Sequence, residues 1–546
     1  MTDPTADLDT EVDVVVLGTG GAGLTAALAA HDFGAGEVLI LEKSGMVGGT
    51  TAMSGGMLWI PLNDQQAEHG VEDSFDEVVA YVDGLADDGQ LDPDVFGAFL
   101  EEGPAMLRWF EERTPVRLRL FPGFPDYQSW AEGAKDHGGR SLDNEVFPFV
   151  DLGSWAKWVN PPKTGWPRRT SMIEDYYPPD LGDDVMADRE ARDCRGQGQA
   201  LVGSLLKGVL DRGIALHRES RARHLITDGR RVVGVETEED GAVRRIRARK
   251  AVIIATGGFE WNEKLVASFL RGPMTGPVSV PECVGDGLLM SMEVGASLGN
   301  MGKSWWLQSS QELAAHGRGH ANYLIGNSER TRPRSILVNR AAKRFVNEAT
   351  NYNAIGPVLH NFDANTHDYV NLPFWIIVDQ TYVDSYRFFN TTKPGSAPPW
   401  AVTAGTVEEL GSRIGLDGAV LAQTVERFNA DVRAGRDTEF GRGDNTYDQF
   451  WGDKTYEGVY RTLGVIDTAP FYAVRMEPGA LGTCGGPRTN ADAQVIDWDD
   501  RPIEGLYACS NAMSSPTAGV YGGAGGTLGP GMTFGFIAGR HAAQTG

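Results

Sequence analysis

Residues 12–56 constrain what this chain can fold into more than any other stretch. Residues 12–17 (VDVVVL) form an apolar, β-branched run of strand length. Gly18-x-Gly20-x-x-Gly23 comes at once after it, and residues 24–30 are rich in the helix formers Ala and Leu. A second apolar run, 38–41, ends in Glu42 and Lys43. A glycine motif set between a strand and a helix reads as a dinucleotide fingerprint. Gly18 permits the tight turn, Gly20 lets the backbone approach a pyrophosphate, and Gly23 lets helix and strand pack closely. Gly21 and Ala22 belong to the same fingerprint, where amide groups and the helix dipole face phosphate charge. Glu42 lies 19 positions after Gly23, close to the ~20 at which an acid holds a ribose hydroxyl.

The residues just past Glu42 narrow the choice of dinucleotide. Gly48-Gly49-Thr50-Thr51 and Ser54-Gly55-Gly56 make a second cluster of small residues. A nicotinamide enzyme has no need of it. FAD does, because its second phosphate and its ring system continue along the chain past the ribose. On these residues the stretch resembles the FAD flavoproteins that include the fumarate reductases and the 3-ketosteroid dehydrogenases.

With 546 residues the chain is long enough for two domains and a large core. A net charge of −25 argues against nucleic acid or anionic membrane as a partner. The acidic N-terminus has no apolar core and does not read as a secretory signal. No apolar run reaches the ~20 residues that would span a bilayer. Cys194, Cys283, Cys484 and Cys509 are scattered without a CxxC pair, and the ten histidines show no metal spacing. These features point to a cytoplasmic protein with reduced thiols and no metal.

Residues 74–113 carry apolar side chains at helical spacing, from Val78 to Phe110. Residues 121–140 read as an irregular loop. Residues 151–181 are rich in Trp and Pro, including Trp166, and fit a lid, a subunit contact or plain surface equally well. A helix is expected over 200–212, and β-hairpins over 224–255 with turns at Asp228-Gly229 and Asp240-Gly241. Residues 251–254 (AVII) read as a buried parallel strand that ends in glycines at the cofactor. One helical pattern is expected over 410–434. A last helix is expected from about Met532, its N-terminus facing the flavin. The fold class is α/β: a Rossmann-like FAD-binding domain (1–305 and 476–546) interrupted by an α+β substrate domain (306–475).

Three further segments each supply a tyrosine. They are Asp126-Tyr127 with Gly138-Gly139-Arg140-Ser141 after it, Ser328-Glu-Arg with residues 334–352 ending in Tyr352, and the glycine-rich run from Tyr521 to Gly535. Over most of its length the chain resembles the 3-ketosteroid Δ1-dehydrogenases on these motifs. The resemblance implies an FAD oxidoreductase that forms a C=C bond beside a ring ketone. Tyr521 and the Gly525 amide would hold the ketone oxygen, Tyr352 would remove the α-proton with Tyr127 supporting it, and a β-hydride would pass to flavin N5. Tyrosine, with a free pKa near ~10, needs a polar neighbour to lower it for that role. The resemblance also places Ala255, Thr256, Gly257, Asp286, Asn511, Gly526, Leu528 and Gly529 along FAD. A quinone or similar acceptor is expected to reoxidise the flavin. The chain departs from the pattern at Gln128, at 349–351, at Gly519-Val520 and at 522–524, positions that bear on which ketone fits.

The same scaffold serves other chemistry. A desaturase of smaller, cyclohexanone-type ketones would keep every catalytic residue and change only the pocket. A fumarate reductase would want arginine in the C-terminal glycine run, yet residues 521–532 contain none. Covalent flavoenzymes of that group carry histidine after the Gly-Gly pair, where Thr50 and Thr51 stand here, so FAD is expected to be non-covalent. A flavin-binding protein without catalysis would have no use for a tyrosine pair.

Overall fold

The computed structural model describes residues 9–162, 168–239, 241–310, 324–325, 327–389 and 393–545. Trp166 and the Asp240 half of the second expected turn lie outside them. β1 (Thr10–Leu17), α1 (Gly21–Asp32) and β2 (Val38–Leu41) form the expected unit. Val14 pairs with Val38 and Leu17 with Leu41, so the strands run parallel. Both faces of β2 and of the second half of β1, from Val14, are buried, which is why these residues are continuously apolar and not alternating.

Among the described residues the first sheet has eight strands. Its main path runs Gln494–Ile496, Pro502–Ala508, Ala242–Ile254, β1, β2, Ala215–His217. Ala242–Ile254 pairs parallel with β1 and with Pro502–Ala508, so residues 251–254 occupy the sheet centre. Arg231–Glu239 and Ser220–Asp228 extend it as an antiparallel flap that turns at Gly229. The C-terminal helix Leu528–Gln544 lies directly on α1. A Cβ on Gly535 would come 2.5 Å from the Ala22 carbonyl, and one on Gly539 2.2 Å from that of Ala26. Glycine therefore lets the two backbones approach to a distance no other residue allows.

The second sheet is antiparallel and has six strands among the described residues. Ser304–Ser310 and Phe374–Val378 flank the long strand Phe471–Thr483, with Leu324–Ile325, Ser335–Val338 and Val402–Ala404 at its edges. Alternation sorts its residues. Ile336, Val338 and Ile377 face Leu421, Val425 and Phe428, whereas Leu337, Ile376 and Val378 face Ile355, Leu359 and Tyr382.

Two expected helices change. The 410–434 pattern is two helices, Val407–Arg413 and Gly418–Arg433. Gly415 takes a left-handed φ of +78° and the Asp417 side chain caps the second helix at Val420. The last helix starts at Leu528, not Met532. Packing on α1 holds its glycines helical against their low propensity.

Candidate active site

The glycine turn before α1 meets the end of β2 through one threonine. The Thr19 N–H and hydroxyl donate to Glu42 Oε2 at 3.1 and 2.6 Å, and the Ser44 N–H donates to Oε1 at 2.9 Å. Burial pushes the Glu42 carboxyl up, opposed by these bonds. Gly18 has φ +106°, and a Cβ on Gly23 would sit 2.2 Å from the Gly18 carbonyl oxygen. A Cβ on Gly20 would find its nearest neighbour at 3.8 Å. Gly20 thus borders open space at a helix N-terminus that its own N-cap residue does not cap, the setting in which amides receive phosphate.

One cavity of about 440 Å³ runs from Glu42 and Lys43 past Gly49, Thr50, Thr51, Ser54, Gly55 and Gly56 to the tyrosines. Ala255, Thr256, Gly257, Asp286, Asn511 and Leu528 also line it. Gly21, Ala22, Gly23, Gly526 and Gly529 stand behind the wall. Gly21 donates its N–H to the Thr51 hydroxyl at 3.0 Å, and a Cβ on Gly526 would strike the Tyr521 ring at 2.7 Å. Lys43 and Arg221 pair with Asp286 at 2.7 and 2.6 Å. Despite its burial, Asp286 is held below the usual carboxylate range by these cations. A long groove beside a helix end whose first amide alone is taken, by Thr51, with glycines that leave backbone exposed and a buried acid at its head, fits FAD.

Tyr127, Tyr352, Tyr521 and Gly525 all line the same cavity. The Tyr127 and Tyr352 hydroxyls lie 2.7 Å apart. The Tyr521 ring stacks on Tyr127 with centroids 5.0 Å apart and stands edge-on to Tyr352 at 5.4 Å. Backbone contacts tie the three loops together. The Tyr127 N–H donates to the Gly522 carbonyl at 3.0 Å, and Asn351 Nδ2 donates to the Tyr127 carbonyl at 3.3 Å. Gly525 has φ +93°, and a Cβ there would lie 2.4 Å from the Met57 carbonyl oxygen.

Arg140 explains the glycine-arginine motif after Tyr127. It is fully buried and donates to Asp126 at 2.8 Å and Asp73 at 2.6 Å, while Trp59 Nε1 donates to Asp126 at 2.8 Å. The residue before Tyr127 is therefore fixed from two sides.

The tyrosines are not lowered as a base would require. Burial pushes Tyr352 and Tyr127 well above the phenol value, and the neighbouring rings add to it. Tyr521 is raised too, again by burial, against the Tyr352 and Thr527 hydroxyls.

Sequence reasoning missed part of the wall. Thr19 sits inside the glycine motif. Phe124, Met172 and Trp451 face the cavity from loops and short helices. Behind them the Tyr176 and Phe450 rings stack at 4.5 Å. Met172–Tyr176, inside the Trp/Pro-rich stretch, is a short helix packed over this end of the cavity. The aromatic content of 121–124 and 446–451 was the available signal. Among the described residues no cluster could hold a metal ion, and no helix is long and apolar enough to cross a membrane.

Comparison with known proteins agrees with this geometry. The FAD binding domain family matches residues 13–528. A 4-oxocyclohexanecarboxylate 2-dehydrogenase from Sinomonas cyclohexanicum is 37% identical over 97% of this chain and 92% of its own length. A 3-oxosteroid 1-dehydrogenase from Mycolicibacterium smegmatis is 35% identical over 98% of both chains. The crystal structure of 3-ketosteroid Δ1-dehydrogenase from Sterolibacterium denitrificans, in complex with 1,4-androstadiene-3,17-dione, superposes with a TM-score of 0.90. It is 32% identical and covers 98% of this chain and 99% of its own. The chain is an FAD oxidoreductase and belongs to the 3-ketosteroid Δ1-dehydrogenase family of FAD-binding flavoproteins.

Proposed function

We propose that the protein removes two hydrogens from a cyclic ketone beside its carbonyl, with 3-ketosteroids as the substrate class. The observation that carries this is the convergence of Tyr127, Tyr352, Tyr521 and Gly525 on one cavity continuous with the dinucleotide groove. FAD, when bound, supplies the hydride acceptor. Gly18, Gly20, Glu42, Thr50 and Thr51 would hold it, and no histidine stands directly after Gly48-Gly49, which supports a non-covalent link. The Tyr521 hydroxyl and the Gly525 amide receive the ketone oxygen and stabilise negative charge as it develops there. That charge makes the α-proton acidic enough for Tyr352 to take. To act as the base Tyr352 must be a phenolate, which Tyr127, bonded to it, stabilises until the proton arrives and leaves Tyr352 neutral.

In this reading the substrate domain is built on the separate antiparallel sheet, whose central strand Phe471–Thr483 runs past the expected boundary at 475 and pairs with Ser304–Ser310. Reoxidation by a quinone or similar acceptor and a cytoplasmic location complete the proposal. A second reading is a desaturase of single-ring ketones. The aromatic wall of Phe124 and Trp451 favours it, as does the relative named for a cyclohexane keto acid.

Anaerobic mixing of the yellow protein with graded ketones tests both. Bleaching by androstenedione-type steroids and not by succinate is the expected result. Bleaching by cyclohexanone-type ketones alone selects the second reading. No bleaching by any ketone overturns both.

A further inference from the structure

Tyr521 is reached through a turn that its own residues do not favour. The Val520 N–H donates to the Thr517 carbonyl at 2.9 Å. The two residues between them, Ala518 and Gly519, take left-handed φ of +52° and +80°. Positive φ at both central residues marks a type I′ turn, which draws Asn, Asp or Gly at each place. Gly519 meets that demand. Ala518 does not, because in this conformation its Cβ crowds the following carbonyl oxygen. The turn directly precedes the tyrosine that faces the cavity, so a relaxation to negative φ would change where that side chain points.

Lys303, the residue before the Ser304–Ser310 strand, holds the turn in place. Its Nζ donates to the Ala518 carbonyl at 2.8 Å and pairs with Asp87 at 3.0 Å. Its stem lies along the next residue, since a Cβ on Gly519 would fall 2.7 Å from Lys303 Cδ. The lysine backbone is itself fixed. Its carbonyl accepts the Cys484 N–H at 3.1 Å, and the Cys484 carbonyl accepts the Ser515 N–H at 3.0 Å. The Thr517 hydroxyl closes the turn from inside by donating to the Val520 carbonyl at 2.8 Å. Two residues beyond Lys303, the Trp305 ring stands edge-on to Tyr521 with centroids 5.3 Å apart. Downstream of the tyrosine, the Gly522 carbonyl accepts from the Tyr81 hydroxyl at 2.7 Å and the Tyr127 N–H at 3.0 Å. The chain is thus pinned on both sides of Tyr521, and on the upstream side the pin is charged.

We propose that Lys303 is a positioning residue for the ketone-oxygen site. Its charge-assisted bond to the Ala518 carbonyl, with its stem packed on Gly519, keeps a strained turn in the shape that aims the Tyr521 hydroxyl at the substrate oxygen. A donor to developing negative charge works only where it is already in place when the charge forms. A small displacement of that hydroxyl therefore costs kcat more than KM. The inference rests on the reading that Tyr521 receives the ketone oxygen. It adds a residue that none of the three tyrosine segments contains.

The test uses the FAD-loaded protein and the best ketone from the bleaching panel. Lys303→Met removes the ammonium and keeps most of the stem. It should lower kcat about tenfold, with KM changed less than about twofold. It should also speed deuterium exchange at the Val520 and Tyr521 amides, read by mass spectrometry on the peptide that spans them. Ala518→Gly alone should leave kcat as it is, because glycine takes a positive φ freely. In the Lys303→Met background the same change should recover at least about threefold of the lost kcat and slow the exchange again, since the strain that Lys303 opposes is gone. Asp87→Asn breaks the ion pair but leaves the carbonyl bond, and should stay within about twofold of wild type. A kcat unchanged by Lys303→Met, a loss that Ala518→Gly does not repair, or an equal loss in Asp87→Asn overturns the proposal. Where Lys303→Met does not load FAD, the double variant with Ala518→Gly decides: recovery of loaded, active protein supports the clamp, and failure to load overturns it. A wild-type protein inert to every ketone fails the ketone-desaturase reading instead, and Lys303 as the clamp of the turn then stands or falls on the exchange data.

Discussion

The hydroxyl of Tyr127 lies 2.7 Å from the hydroxyl of Tyr352, although 225 positions separate them in the chain. When one of two buried phenols in contact is ionised, the remaining proton lies between them and the negative charge is stabilised by that bond. Tyr352→Phe should therefore lower kcat by ~10²–10⁴-fold, the usual cost of losing a general base. Tyr127→Phe should cost about ten- to a hundredfold, the worth of one hydrogen bond to a charged group. Both variants should keep FAD, since neither hydroxyl touches the Glu42 end of the groove. Stopped-flow flavin reduction checks this, and full turnover by Tyr352→Phe would remove it from the base role.

Gly525 permits no side chain. Its φ of +93° is unfavourable for any other residue, and an added Cβ would press on the Met57 carbonyl at 2.4 Å and Leu58 Cα at 2.5 Å. Gly525→Ala should cost ~1–3 kcal/mol of stability from backbone strain alone. Displacing the amide from the ketone oxygen should lower kcat by about 10²-fold or more. Thermal unfolding and steady-state kinetics measure the two effects separately. A variant with unchanged kcat would show that this amide is not part of the oxyanion site.

The flavin half of the molecule was legible because its signals are local. Strand, glycine turn, helix and acid fall within 12–42, and each is read from its own residues. The tyrosines were legible only through their family motifs, because their meeting depends on loops from both sheets. Phe124 and Trp451 were signalled only by the aromatic content of their segments, and Met172 by nothing, since none of the three lies in a periodic pattern. The break at Gly415 and Asp417 was written in the chain, but the apolar spacing runs on through it and masks the cap. The early start at Leu528 ran against propensity. Contact with α1 decides it, and that contact is invisible in the C-terminal sequence alone.

Trp451 sets the reach of the cavity. Its ring is edge-on to Phe124 at 5.7 Å and to Phe450 at 5.8 Å, and it is partly exposed. Trp451→Ala should open the wall at a stability cost of ~2–3 kcal/mol, below the ~3–5 kcal/mol of a fully buried Trp. The ratio of kcat/KM for a bulky steroid ketone over a cyclohexanone should rise by about tenfold, as expected for roughly one to two kcal/mol of relieved contact. A ratio that does not change would mean that substrate lies elsewhere along the cavity.

Glu329, in the same Ser-Glu-Arg motif as Arg330, makes stability depend on pH. It is 1% exposed, accepts the Phe389 N–H at 3.0 Å and faces the Ser328 hydroxyl at 3.2 Å. Burial raises its carboxyl from 4.5 to about 7, opposed by these bonds. The folded state therefore holds the proton more tightly than the unfolded chain does. That contribution is complete below about pH 4.5 and is lost as pH rises through about 7. At pH ~8 the charged, buried carboxylate should cost up to about 3 kcal/mol. Glu329→Gln stays neutral and can still accept the Phe389 N–H. It should match wild type near pH ~4 and exceed it near pH ~8. Denaturant unfolding of both proteins at the two pH values isolates this group, because every other titration is common to them. Equal stabilities at the higher pH would show that the carboxylate finds compensation when it ionises.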